Sequence, residues 1–165
     1  MSGPHVLVAG IGHIFFRDDG FGVAVADRLA SMMPPRAGVT IADYGIRGVH
    51  LALDLLDGYD LLVLIDALPV GEAPGTVVLF EPDVPDTIEA TVDAHSMSPA
   101  VVLATLAGLG GSIERVLVVG CQPETIEGGI GLSDVVAASV EPAAAMVGEV
   151  LDDVFSTATS GGGRR

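Results

Sequence analysis

The start of the chain restricts the fold more than any other stretch. Residues 6–9 (VLVA) form an apolar run that ends at Gly10-x-Gly12, and a short loop then carries the acid pair Asp18-Asp19 before a helical pattern begins. A short apolar run closed by glycines predicts a buried strand. A strand that leads through a loop into a helix is typical of the first unit of an α/β sheet. Ligands of open α/β sheets bind at the carboxyl ends of the strands, so chemistry is expected at this acid pair.

The rest of the chain continues the alternation, in the order βαβαββαβα. Val49, Leu53 and Leu56 mark the predicted buried side of the second helix. The unbroken run at 59–66 (YDLLVLID) predicts a central strand covered on both faces. Pro142 predicts a kink or a division in the last helix, over residues 133–155.

These patterns predict an α/β fold of three layers, α/β/α. A twisted, mostly parallel five-stranded sheet is expected to have helices on both faces, as in phosphorylase/hydrolase-like folds. We expect one domain over residues 1–156 and a flexible tail at 157–165, where the sequence is TATSGGGRR.

Charge and cysteine content exclude several classes of function. The formal net charge is −15, from 22 acidic against 7 basic residues, so phosphate backbones and anionic membrane surfaces are repelled. No apolar stretch is long enough to span a bilayer, and no signal peptide is evident. The single cysteine, Cys121, excludes an internal disulfide and suits a reducing compartment. We therefore expect a soluble cytoplasmic protein, a monomer that binds neither nucleic acid nor membranes.

Several possible metal ligands follow the predicted strands. Asp18 and Asp19 follow the first strand, Asp66 ends the third, and His95 follows the fourth, close to Asp93. Two carboxylates and one imidazole are ligands that a divalent metal of borderline hardness accepts, and three protein ligands leave a position open for reaction. Taken singly, each aspartate is more typical of a cap or a turn, so spacing alone leaves the metal site open.

Two other kinds of site are less well supported. Gly10-x-Gly12 after a strand, with Asp43 after the next one, is compatible with a dinucleotide site, but position 15, where the third glycine belongs, is Phe15. The first helix also begins too late to present its N-terminus to a pyrophosphate. For nucleophilic catalysis, the sequence has no G-x-S-x-G elbow, and Cys121 has no evident histidine partner.

Four motifs in order resemble the nickel–iron hydrogenase maturation endopeptidases. They are VLVAGIGHIFFRDDGFGV at the start, LLVLIDA ending beyond Asp66, AHSMSP around His95, and IGLS at 130–133. The resemblance extends from about Val6 to the last helix.

The resemblance implies an activity and a ligand set. Proteins of this family remove a short C-terminal extension from the hydrogenase large-subunit precursor after nickel insertion. Their three metal-binding residues correspond to Asp19, Asp66 and His95, and the metal is expected to be nickel carried by the substrate rather than a resident cofactor. Another divalent ion could occupy the site in purified protein. Asp18, or a metal-activated water, is the expected catalytic assistant.

Two further segments are expected to contact the substrate. The family commonly has Asn where this chain has His13; the imidazole either replaces the hydrogen bonds of the amide or supplies a fourth ligand or proton shuttle. Gly45, Arg47 and Gly48 belong to a loop after the second strand. We expect this loop to line the groove for the C-terminal strand of the precursor, with Arg47 contacting a backbone carbonyl or an acidic group.

Two alternative functions remain open from the sequence. One is a metal-dependent hydrolase of another substrate that keeps its own zinc-like ion. The other is a non-catalytic module that binds a metal or a nucleotide.

Overall fold

The computed structural model describes residues 3–82 and 99–162, and it describes side chains up to residue 157. Within these residues the strands are β1 (Val6–Ile11), β2 (Val39–Gly45), β3 (Leu61–Ala67), β4 (Val77–Phe80) and β5 (Arg115–Cys121). The helices are α1 (Phe21–Met32), α2 (Gly48–Leu55), α3 (Pro99–Gly108), α4 (Asp134–Ala137) and α5 (Val140–Gly162). A 3₁₀ turn, Arg17–Gly20, precedes α1.

The strands form one five-stranded sheet in the order β2-β1-β3-β5-β4. All neighbouring strands are parallel except β4, which pairs antiparallel with β5. The predicted fold class, a mostly parallel sheet with helices on both faces, is confirmed. β3 is central, as predicted, and its residues Leu61 to Asp66 are buried.

Side chains that alternate along the strands supply two separate cores. Val6 and Val8 of β1 pack with α1 and α5 on one face of the sheet. Leu7 and Ala9 pack with α2 and α3 on the other face. The strands β1, β3 and β5 are covered on both faces. Their sequences are therefore apolar without alternation, and this made them predictable from the sequence.

The buried side of α2 differs from the prediction. Leu51, Ala52 and Leu55 are buried, and the expected residues are exposed: Val49 by 61%, Leu53 by 47% and Leu56 by 45%. Both sets recur at helical spacing, so periodicity alone did not distinguish them. The packing of α2 on the sheet and against α3 decides which set is covered.

The last helical region is divided, as Pro142 predicted. α4 ends at Ala137 and α5 begins at Val140, so Pro142 lies in the first turn of α5, where its missing N–H has no helical acceptor to lose. α5 continues to Gly162, which means that the predicted domain boundary at residue 156 does not coincide with the end of the helix. None of the helices in the described part of the chain could cross a membrane.

Candidate active site

Two aspartates meet at the carboxyl edge of the sheet, where the sequence placed the chemistry. Asp19 belongs to the 3₁₀ turn after β1, and Asp66 is the last buried residue of β3. Glycines permit this close assembly. A Cβ on Gly12, whose φ is +138°, would meet the backbone oxygen of Asp19 at 1.9 Å, and a Cβ on Gly22 would meet that of Ile65 at 2.1 Å. The glycines therefore serve the packing of the turn and of α1 on the strands.

Asp66 is the most unusual carboxylate of the described residues. Its side chain is almost wholly buried, at 3% exposure, and its Oδ1 has no hydrogen-bond partner among the described residues. Burial, followed by the negative charge of Asp19, raises the pKa of Asp66 well above its ordinary range. A buried oxygen without a donor is costly, and a cation bound between Asp19 and Asp66 would relieve both the lost solvation and the repulsion.

Asp19 is oriented by the chain that precedes it. The backbone N–H of His13 donates to Asp19 Oδ2 at 2.8 Å. The side chain is half-buried, so it is neither sealed from substrate nor free to rotate. This hydrogen bond leaves Oδ1 available as a ligand.

The third expected ligand, His95, lies outside the described residues, as does Asp93. Within residues 3–82 and 99–162, no group of three or more His, Cys, Asp or Glu side chains is placed to hold a metal ion. The ligand set of Asp19, Asp66 and His95 thus stays a prediction, to which the structure contributes the neighbouring pair Asp19 and Asp66.

Asp18 occupies a different environment from its neighbour. It is fully buried, and its Oδ1 accepts from the Ser133 backbone N–H at 2.7 Å. Its Oδ2 accepts from Ser133 Oγ at 2.8 Å and from the backbone N–H groups of Glu124 and Thr125 at 2.9 and 3.1 Å. Burial acts to raise the pKa of Asp18, but the four hydrogen bonds outweigh it and the pKa is lowered. These four hydrogen bonds make Asp18 a structural tether between the turn and residues 124–133. Its expected assistance in hydrolysis stays a prediction.

Further bonds connect the same two segments, and sequence reasoning missed this connection. Phe16 pairs with Gly129 in an isolated β-bridge, and the Arg17 backbone N–H donates to the Gly129 carbonyl at 3.0 Å. The Arg17 guanidinium also donates to the carbonyl of Ile130 at 3.3 Å. We call residues 15–18 with residues 124–133 the clasp. Its only signal in the sequence was the glycine-rich stretch at 127–131, because the partners are more than 100 positions apart.

A cleft of about 450 Å³ contains His13, whose backbone N–H contacts Asp19. Its other lining residues include Phe15, Val23, Asp27, Asp43, Ile46 and Arg47. We call it the His13 cleft. Gly45, with φ +56°, also borders it, while Gly48 is buried at the start of α2. Three residues of the loop expected to line a groove, Gly45, Ile46 and Arg47, thus border a cleft. That the cleft takes the precursor strand stays a prediction.

Arg47 is largely committed to its own loop. Its Nη2 donates to the Asp43 carbonyl at 2.8 Å, and its Nε donates to the Tyr44 carbonyl at 3.1 Å. The backbone carbonyls that it contacts are therefore those of this chain, at the end of β2. Contact of Arg47 with a precursor stays a prediction, and the two bonds first assign it to holding the loop in shape.

Sequence comparison relates this chain to known proteins. The family model described as "Hydrogenase maturation protease" matches residues 23–150. The chain is 33% identical over 170 residues to the hydrogenase expression/formation protein HoxM of Azotobacter vinelandii, covering 100% of this chain and 82% of the relative. It is also 33% identical to the hydrogenase 2 maturation protease of Escherichia coli, covering 84% and 85%.

The chain belongs to the hydrogenase maturation protease family. A solved structure agrees: the hydrogenase maturating endopeptidase HybD of Escherichia coli superposes with a TM-score of 0.78 at 31% identity, covering 90% of this chain and 93% of that one. The resemblance stated from the four motifs is thus confirmed, and the α/β fold with it. Membership of this protease family also removes the reason to interpret Gly10-x-Gly12 as a dinucleotide motif, since those glycines serve packing.

Proposed function

We propose that this chain is the endopeptidase that removes the C-terminal extension of a hydrogenase large-subunit precursor. In this proposal the nickel carried by the precursor is bound by Asp19, Asp66 and His95, so that only a metal-loaded precursor is held for cleavage. Membership of the maturation protease family supports the activity. The unpartnered Oδ1 of buried Asp66 carries the metal-binding part.

The chemistry of the two carboxylates suits a cation that arrives with the substrate. In the free protein, Asp19 and Asp66 repel each other and the pKa of Asp66 is raised. A divalent ion removes that repulsion and supplies the missing partner of Asp66, and imidazole and carboxylate ligands both suit nickel. Because the ligands must be deprotonated to bind, the site weakens in mild acid.

The residues of this chain bind and orient the precursor, and the nickel that the precursor carries would act as a Lewis acid. A bound divalent ion polarises a carbonyl or activates a water. The backbone N–H of His13 keeps Asp19 oriented, and the clasp holds the turn that carries Asp19 against the loop at 124–133. Pre-organised ligands of this kind keep the scissile segment at a constant position relative to the metal.

The decisive experiment incubates the full chain with a nickel-loaded and with a nickel-free precursor and measures the mass of the large subunit. We expect cleavage of the nickel-loaded precursor only. Cleavage of both forms, or of neither, would refute the proposal. A tightly held, stoichiometric zinc ion in the purified protein would instead favour a hydrolase with its own metal.

A matched pair of variants tests the assignment of Asp66. Asp66→Asn should lower the cleavage rate by more than about 100-fold, because loss of a charged ligand removes most of the affinity for a metal. Asp60→Asn is the control. Asp60 is exposed and precedes the opposite end of β3. Among the described residues, its side chain accepts only from the His5 backbone N–H, at 2.8 Å. Equal rates for the two variants would contradict the assignment.

A further inference from the structure

The His13 side chain is held in one orientation beside the site. Its Nδ1 accepts a hydrogen bond from the Phe15 backbone N–H at 3.2 Å. Its ring meets the Phe16 ring edge-on, with centroids 4.5 Å apart, and the Phe15 ring with centroids 5.6 Å apart. Two aromatic contacts and one hydrogen bond leave the imidazole little freedom to turn.

The hydrogen bond at Nδ1 also determines which nitrogen carries the proton. A neutral imidazole has one N–H donor and one acceptor nitrogen. Because Nδ1 accepts from the Phe15 N–H, the proton of the neutral ring is on Nε2. Neither nitrogen then has a free lone pair to give to a metal ion, so this arrangement disfavours the fourth-ligand role. Among the described residues, Nε2 itself has no hydrogen-bond partner.

The position of this donor relates it to the reaction. His13 lines the cleft that bears its name, and its own backbone N–H orients Asp19 at 2.8 Å. The same residue therefore orients the expected metal ligand Asp19 through its backbone and contributes a side chain with an N–H donor to the wall of the cleft. A peptide bound in extended form presents backbone carbonyls, and main-chain hydrogen bonds are the general means of holding such a strand.

We propose that His13 is a substrate-positioning residue: its Nε2–H donates to a backbone carbonyl of the precursor segment that lies in the His13 cleft next to the cleaved bond. This inference rests on the proposed function and adds the atom that anchors the substrate. Phe15, Val23 and Ile46 give this cleft apolar side chains, and a bound segment that covers them would shield the hydrogen bond from water, which would strengthen it.

The tautomer is tested first, and without any substrate. A long-range proton–nitrogen correlation spectrum of the full chain at neutral pH reports which ring nitrogen of His13 is protonated. We expect the proton on Nε2, and a proton on Nδ1 would overturn the proposal. This outcome does not depend on whether the chain cleaves a hydrogenase precursor, so it separates failure of this inference from failure of the proposed function.

The second test uses two variants and the nickel-loaded precursor. His13→Phe keeps an aromatic ring against Phe15 and Phe16 but has no N–H, so KM should rise about three- to tenfold with kcat little changed. His13→Gln restores an N–H donor at a similar reach and should return KM towards the value of the unaltered chain. Affinity for Ni²⁺ alone, measured by calorimetry, should stay the same in both variants.

Each other result contradicts the proposal. An unchanged KM in His13→Phe would mean that the donor does not contact substrate. A KM that stays raised in His13→Gln would assign the effect to the ring instead of its proton. A tenfold loss of Ni²⁺ affinity in His13→Phe would make His13 a ligand.

Discussion

Asp18 offers the sharpest test of the tether, through the substitution Asp18→Asn. The side chain keeps its shape, but one of its two acceptor oxygens becomes an NH₂ donor. If the remaining oxygen takes the place of Oδ2, it keeps the three hydrogen bonds from Glu124, Thr125 and Ser133 Oγ. The new NH₂ then faces the backbone N–H of Ser133, which in the unaltered protein donates to Oδ1 at 2.7 Å. One hydrogen bond is lost, the other three lose their charge assistance, and a donor is left opposite another donor.

The magnitude follows from those contacts. A hydrogen bond to a charged group contributes about 1.5–3 kcal/mol, and an unsatisfied buried N–H costs about 1–3 kcal/mol. The smaller desolvation of the neutral amide offsets part of the sum, so we expect the free energy of unfolding to fall by about 3 kcal/mol. For a chain of this size, that lowers Tm by roughly 6–12 °C.

The assay combines thermal unfolding with hydrogen exchange. We expect faster exchange at the backbone amides of Glu124, Thr125 and Ser133, because these donate to the replaced carboxylate. Asp134→Asn is the control, since it makes the same change of charge at an exposed position next to the clasp and should shift stability by less than about 0.5 kcal/mol. The tether role of Asp18 is wrong if the free energy of unfolding of Asp18→Asn lies within about 1 kcal/mol of that of the unaltered protein and hydrogen exchange is unchanged.

Two other perturbations test the packing and electrostatics of the same edge. Gly22→Ala should lower the free energy of unfolding in urea by about 3 kcal/mol, because its Cβ would meet the Ile65 carbonyl oxygen at 2.1 Å. The control is Gly148→Ala, whose Cβ has nothing within 4 Å and which should be neutral or stabilising. Equal effects would contradict the close packing of α1. In metal-free protein, the pKa of Asp66 is higher in the folded state than its ordinary value of 3.8. The resulting stability is fully present below pH 3.8 and is lost as the pH rises through the folded-state pKa. Asp66→Asn removes this loss, so its stability should fall less steeply above about pH 4; parallel stability–pH curves would refute the assignment.

The sequence by itself determined the order of the elements and the location of the chemistry. Parallel strands buried on both faces are apolar without interruption, so β1, β3 and β5 could be predicted from local sequence patterns. The carboxyl ends of parallel strands lie at one edge of the sheet, so the sequence alone predicted that Asp19 and Asp66 lie near each other.

Only the tertiary structure decided which polar and apolar groups face which partner. Two helical stripes of α2 were equally periodic, and packing selected Leu51 and Leu55 over Val49 and Leu53. Asp18 and Asp19 are adjacent and chemically identical in the sequence, yet one is sealed by donors from residues 124–133 and the other remains half-buried beside the cleft. Local periodicity indicates which side chains avoid water. The clasp depends instead on backbone N–H groups more than 100 residues away in the sequence, and no local pattern determines the direction of those groups.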